Sequence, residues 1–356
     1  MIKEYGYEYN ATINAKLLSH VGWRGTDKKF WGAYSLRSGR DALKLIAREH
    51  PNSNVFLPAL CCDSMISPFE MYGCNIIYYP LTREIKSDFF ELLNKLQSVK
   101  GKKLLLLCDY FAIKAFDFNQ IWKLKNLFND LTIIKDITHT LLSEKKMESC
   151  VDYTIASLRK WVNVPDGGLL WTKQSLNDPQ LSEDSTFAKQ RLRAQCMRTE
   201  YFNTGNENTK IEYRKIFSCV SSILEGDIFP VKMTEYSYET ALKTDWERIK
   251  QSRKENANVL VSVLLDDQKV RVINRGIDNS NLYVPILINN RDEIQGVLSS
   301  KGIFNTVIWP LRREQLIACS TAKYVADHML AVPCDQRYTK EDMLYIGSEI
   351  MRAINE

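Results

Sequence analysis

The sequence predicts an α/β protein with a mostly parallel central sheet sandwiched by helices, plus a smaller C-terminal α+β domain. Short, continuous apolar runs, such as residues 104–107 and 133–134, alternate with segments of helical period, the pattern of strands covered on both faces. Asp109, Asp136 and Ser157 stand at the carboxyl ends of such runs, where parallel sheets gather ligand-binding groups into one crevice. Finally, 356 residues exceed what one core usually serves, and the pattern changes after Trp171, so a second domain is expected.

The elements follow in order. The Ser38-Gly39 turn supplies an N-cap for a helix over 41–50, followed by a strand at 55–57, a helix at 65–72 and a strand at 76–79. A helix over 87–96 leads to a strand at 103–109, and a helix over 121–129 leads to a β-branched strand at 131–135. Ser157 closes a further short apolar segment, and Pro165-Asp166-Gly167-Gly168 turns the chain into a strand at 169–171. Residues 173–198 are polar with a long helical period, 203–208 form a loop cluster, and 214–223 read as helix. The break at 225–230 places the domain boundary, giving a large domain at 1–230 and a small one at 231–356. In the latter, 237–264 reads as one long connecting helix, 270–273, 282–288 and 307–309 as strands, with helices starting at Asp292 and Lys340.

Composition narrows the class. With 45% hydrophobic and 26% charged residues the chain reads as an ordinary soluble globular protein. A net charge of +5 spread over dispersed basic residues argues against nucleic-acid binding. The N-terminus carries no apolar signal region and the aliphatic run at 104–108 is far too short to span a bilayer, so a cytoplasmic protein is expected. Nine cysteines without metal-type spacing read as reduced thiols, and no metal site is expected.

The chemistry lies between Asp136 and Gly168. Asp136 ends a strand, His139 follows three residues later, and Lys160 stands three residues after Ser157. Taken singly, an acid at a strand end is more often a cap or turn residue, a histidine a hydrogen-bonded structural group, and a lysine a solvated charge. Together they match what pyridoxal 5'-phosphate requires: a lysine amine for its aldehyde and an acid that keeps the pyridine nitrogen protonated. Lys160 lies among Ile155, Ala156, Leu158, Trp161 and Val162, where a charge needs a partner or a depressed pKa. Ser38, Gly39 and Arg40 open a helix whose amides face an anion with their positive end. With Ser157 they form the candidate phosphate cup, the alternative being a plain capped turn. Arg40 either adds charge there or faces solvent. Arg159 is either a substrate or phosphate contact or a salt-bridge partner, and Tyr110 with Phe111 either an aromatic wall or core.

The order Asp-x-x-His, Ser-x-x-Lys and Gly-Gly before a strand resembles the DegT/StrS family of pyridoxal-phosphate-dependent sugar aminotransferases. Ser38-Gly39-Arg40-Asp41-Ala42-Leu43 is similar to the family's phosphate-binding turn, Leu57-Pro58-Ala59-Leu60-Cys61-Cys62 to its next strand end, and Gly73-Cys74-Asn75-Ile76-Ile77-Tyr78-Tyr79 to the strand beyond. Near the C-terminus, residues 330–338 and 341–343 resemble its closing strand and last helix. The resemblance implies the aspartate-aminotransferase-like fold (fold type I), with roughly the first 30 residues packing on the small domain. It implies Lys160 and Asp136 as catalytic residues and His139 near the cofactor's phenolic oxygen. It also implies a homodimer in which a stretch such as 232–237 of the neighbour reaches the phosphate, unless Thr234 simply caps a helix. The reaction implied moves an amino group, by resemblance from glutamate, to a nucleotide-linked 3- or 4-keto sugar, for surface polysaccharide such as O-antigen or for glycosylated metabolites. Two features depart from the family: Cys62 stands where many members place an aromatic ring over the cofactor, and the serine-to-lysine spacing is shorter. The alternatives are an enzyme of the same fold acting on a non-sugar substrate or by elimination, and a cofactor-free binding protein.

Overall fold

The computed structural model describes residues 3–11, 21–143, 147–174, 176, 181–265, 268–274 and 281–356. A short strand β1 (Tyr5–Gly6) precedes β2 (Tyr34–Leu36) and helix α1 (Gly39–Glu49). Then come β3 (Asn54–Pro58), α2 (Asp63–Glu70), β4 (Asn75–Tyr79), α3 (Phe89–Ser98), β5 (Lys103–Cys108), α4 (Phe118–Leu127) and β6 (Leu131–Asp136). After β7 (Tyr153–Ser157) and β8 (Gly168–Thr172), four helices follow: α5 (Thr186–Thr204), α6 (Glu207–Gly226), α7 (Glu235–Leu242) and α8 (Trp246–Leu264). The remainder is β9 (Arg271–Val272), β10 (Tyr283–Leu287), α9 (Arg291–Ser300), β11 (Ile303–Phe304), α10 (Arg313–Ala318), α11 (Ser320–His328), β12 (Met329–Pro333) and α12 (Lys340–Asn355).

Seven strands form the main sheet in the order β2-β8-β7-β6-β5-β3-β4, and β3 to β7 run parallel. Both faces are covered, by separate apolar clusters around Leu104, Leu106 and Ile134 on one side and Leu105, Leu107 and Ile133 on the other. Those strands therefore read as unbroken apolar runs. β8 and β2 close one edge antiparallel. A three-stranded sheet, β12-β10-β9, carries the C-terminal part, and β1 pairs with β11, which ties the N-terminal segment to it.

Two expectations in this region need correction. The helix expected over 237–264 is two helices, because Asp245 caps a new start by accepting from the Arg248 amide at 3.0 Å. Residues 307–309 are not a strand: only Thr306 bridges Ala331, and the pairing strand lies earlier, at β11. The loop cluster at 203–208 is the tight turn between α5 and α6. There Gly205 adopts φ +71° to end one helix, a left-handed conformation that costs glycine no steric strain. All nine cysteines are unpaired. Among the described residues no helix is long and apolar enough to cross a membrane.

Candidate active site

The parallel strands end in register, with Cys108 opposite Asp136 and Asp136 opposite Ile155. Successive side chains alternate between faces, so residues two apart share one side. Cys108, Asp136 and Ser157 consequently open into one cavity of about 270 Å³, which Gly39, Arg40, Cys62, His139, Arg159, Lys160 and Trp309 also line. Asp109, the next residue along, faces the other side; it is buried, pairs with Lys135 at 2.9 Å and accepts the Ala115 amide. The expectation that it shares the crevice is corrected by that alternation.

Local geometry explains the Gly-Gly sequence. The Gly167 carbonyl accepts the Leu158 amide and its N–H donates to Arg37 O at 2.7 Å. A Cβ at Gly168 would come within 2.1 Å of the Ser38 carbonyl. Only glycine allows the start of α1 to lie this close to the turn carrying Ser157. Ser38 itself faces away from the cavity: its hydroxyl caps α1, accepting from the Asp41 amide and donating to the Asp41 carboxylate. Of the four residues expected to form a cup, Gly39, Arg40 and Ser157 line the cavity and Ser38 does not.

Unsatisfied buried atoms bear on the fit to a phosphate and a pyridine ring. Ser157 Oγ, Arg40 Nε and Nη1, and Arg159 Nε are buried without a hydrogen-bond partner. Orphaned buried donors are rare in folded proteins, and these three residues line one cavity beside a helix N-terminus, the arrangement that binds anions. Asp136 accepts the Thr138 amide at 2.8 Å. Burial pushes its carboxyl above the ordinary value against the pull of Thr138 and Lys160, so it gains from a cationic partner. His139 is buried, its Nδ1 accepts the Phe111 amide at 3.4 Å, and burial, then Lys160, push its pKa well down. Both effects favour the uncharged ring, and with Nδ1 accepting, Nε2 is the nitrogen left to donate. The residues present fit pyridoxal phosphate.

Lys160 differs from its expected surroundings. Its neighbours Leu158, Trp161 and Val162 are buried, but its own side chain is exposed, and its amine makes no hydrogen bond among the described residues. Its backbone is what the protein holds: the Trp161 carbonyl accepts from Tyr9 Oη at 3.0 Å and from Gln336 Nε2 at 2.8 Å. Arg253, fully buried, donates to that Tyr9 oxygen at 2.7 Å, to Leu282 O at 3.0 Å and to Gln336 Oε1 at 2.9 Å, and lies 4.7 Å from the Trp161 ring centroid. A short turn of helix is thereby fixed by three distant segments while its lysine stays free.

Tyr110 is not brought to the cavity; it is core, its hydroxyl bound to the Leu60 carbonyl. Trp309 is the aromatic side chain that lines the cavity, half-buried, with its ring 6.1 Å from that of His139. Cys62 also lines it, with Sγ 2.8 Å from Ser64 Oγ. Sequence reasoning missed Trp309, Glu8 and Arg191, whose segments lie far from the motif; the one available signal was a tryptophan in a run taken for a strand. The stretch 232–237 is tied within its own chain: Thr234 caps α7, and the Thr234 and Ser237 hydroxyls, both buried, bind Asp166. Of the two readings of that stretch, the helix cap describes these hydroxyls.

The chain matches no protein-family model and no curated protein. Among solved structures it is similar to a protein named as a sugar aminotransferase from Streptococcus pneumoniae in its pyridoxal-phosphate form (16% identity, 99% of each chain, TM-score 0.70). It is also similar to Helicobacter pylori PseC, an aminotransferase of pseudoaminic acid biosynthesis (14% identity, 99% of this chain and 100% of that one, TM-score 0.69). The same holds for a DegT DnrJ EryC1 StrS aminotransferase from Brucella abortus (15%, 91% and 86%, TM-score 0.63). The chain has the fold of these aminotransferases. The aspartate-aminotransferase-like architecture expected from the sequence is the one observed.

Proposed function

We propose that this chain is a pyridoxal-phosphate-dependent aminotransferase that moves an amino group from an amino acid, glutamate by family resemblance, to a nucleotide-linked keto sugar. The observation that carries the reading is the single cavity into which Lys160, Asp136, His139 and the partnerless donors of Ser157 and Arg40 all open. By resemblance alone the protein acts in the cytoplasm as a homodimer, in surface polysaccharide or glycosylated-metabolite synthesis.

Bound here, pyridoxal phosphate would supply an aldehyde that takes up amino groups and a ring that stores the electron pair of a broken C–H bond. Gly39, Arg40 and Ser157 would hold its phosphate. Asp136, whose charge is costly without a partner, would keep a proton on the ring nitrogen. His139, whose Nδ1 accepts the Phe111 amide, would donate from Nε2 to an oxygen. Lys160, free at its amine and fixed at its backbone, would be the attachment point for that aldehyde and the base that takes and returns a proton at the donor's α-carbon. Trp309 and Cys62 bound the space beside it.

The test is spectroscopic. Purified protein supplied with the cofactor should absorb above about 400 nm, lose that band with glutamate, and after borohydride reduction carry the pyridoxyl group on Lys160. A protein that stays colourless, or an adduct on another lysine, would overturn the reading. A band that persists with glutamate but disappears with a different amino acid would replace the donor.

A further inference from the structure

A second cavity of about 300 Å³ adjoins the first, lined in part by Tyr9, Arg253, Tyr283, Asp335 and Arg337. Four residues line both cavities: Glu8, Arg159, Lys160 and Arg191. With the Lys160 amine given over to the cofactor, Arg159 and Arg191 share one hydrogen-bonded carboxylate, that of Glu8. Arg253 and Arg337 do not alter this: the first is spent on neutral acceptors, and the second is paired with Asp335 at 2.7 Å and 2.8 Å.

Glu8 reaches this junction from the N-terminal segment and is held in two-pronged fashion by Arg191, at 3.0 Å for one contact and closer for the other. Arg191, 5% exposed, keeps its Nε buried and without a partner, as does Arg159. No described carboxylate pairs with Arg159. Its guanidinium lies over the Phe187 ring at 5.2 Å, and burial together with the like charge of Arg191 pushes its pKa down to about 10. Two guanidinium groups share one hydrogen-bonded carboxylate, Asp166 and Asp41 acting on Arg159 only through space, and each keeps a buried donor with no acceptor, an arrangement that a further anion would satisfy.

We infer that Arg159 and Arg191 form the subsite for the carboxylate of the amino-acid donor, and that Glu8 occupies Arg191 until that carboxylate displaces it. A planar guanidinium pair suits a carboxylate through two-pronged hydrogen bonding. Arg159 and Lys160 line the same two cavities, so an acid bound at Arg159 shares the space into which the amine opens. This inference rests on the aminotransferase reading for the word donor; the subsite itself rests on the geometry alone.

The experiment is calorimetric titration of the cofactor-treated protein with glutarate, which has the donor's two carboxylates and no amino group to react. Glutarate should bind at least tenfold more tightly than uncharged glutaramide. Arg159→Gln and Arg191→Gln should each weaken glutarate by tenfold or more, whereas Glu8→Gln, which removes the competitor, should tighten it about fivefold. Should Arg191→Gln fail to fold, Arg159→Gln and Glu8→Gln decide the matter, both at half-buried positions. Glutarate affinities within twofold of the parent in those variants would overturn the subsite. Pyrophosphate binding more tightly than glutarate, and lost in the same variants, would overturn the carboxylate assignment in favour of a phosphate anion. A colourless protein that nevertheless shows the glutarate pattern would sink the aminotransferase reading and leave the subsite standing.

Discussion

Replacing Arg253 with methionine tests whether the backbone of the lysine turn is held as described. Methionine keeps the length of the stem and removes the guanidinium, stripping a donor from Leu282 O (3.0 Å), Tyr9 Oη (2.7 Å) and Gln336 Oε1 (2.9 Å), together with the contact over the Trp161 ring. Each charge-assisted hydrogen bond contributes about 1.5–3 kcal/mol, and the cation–π contact about 1–2 kcal/mol when shielded from water. Returning the guanidinium to water in the unfolded reference offsets part of that sum, so the net loss should be about 3–5 kcal/mol, the range for removing one member of a buried charged network. With a urea slope of about 3 kcal/mol/M, the unfolding midpoint should fall by about 1–1.7 M. Arg248→Met, at an exposed site on the same helix, should stay within about 0.5 kcal/mol. Tyr9→Phe combined with Arg253→Met should cost less than the two singly, since they share one hydrogen bond. A shift under about 0.3 M for Arg253→Met would refute the reasoning, because that much burial and bonding cannot vanish without cost.

Two further outcomes are expected. Ser157→Ala removes a buried hydroxyl that has no partner, so stability without ligand should hold or rise by up to about 1 kcal/mol, while affinity for pyridoxal phosphate falls about tenfold; a loss of stability with unchanged affinity would show the hydroxyl to be structural. His139 has its folded-state pKa well below the ordinary value, so its contribution is complete above the unfolded pKa of about 6.5 and is lost as pH falls below it. The stability of the cofactor-free protein should decline on acidification through that window, and His139→Gln should flatten the decline; an unchanged pH profile in the variant would remove His139 as its cause.

The parallel core was legible because its strands are covered on both faces, and such strands announce themselves as unbroken apolar runs with their ends marked by Asp136 and Ser157. The Gly167-Gly168 pair likewise signalled a close approach, and Gly168 makes one, against Ser38. Local sequence could not say which way side chains at a strand end point. One residue of register separates Cys108, in the cavity, from Asp109, bound to Lys135 on the far side. Nor could it divide α7 from α8, where a single capping aspartate, Asp245, outweighs a continuous helical period. Glu8, Arg191 and Trp309 belong to segments roughly 30 to 150 residues from Lys160, and nothing in their own neighbourhoods marks them as functional. The chemistry of the lysine turn was thus written in short spacings that local backbone geometry enforces. The anchors beneath that turn and the charges beside it were decided by tertiary packing, because a hydrogen bond or ion pair between distant segments leaves no periodicity in either one.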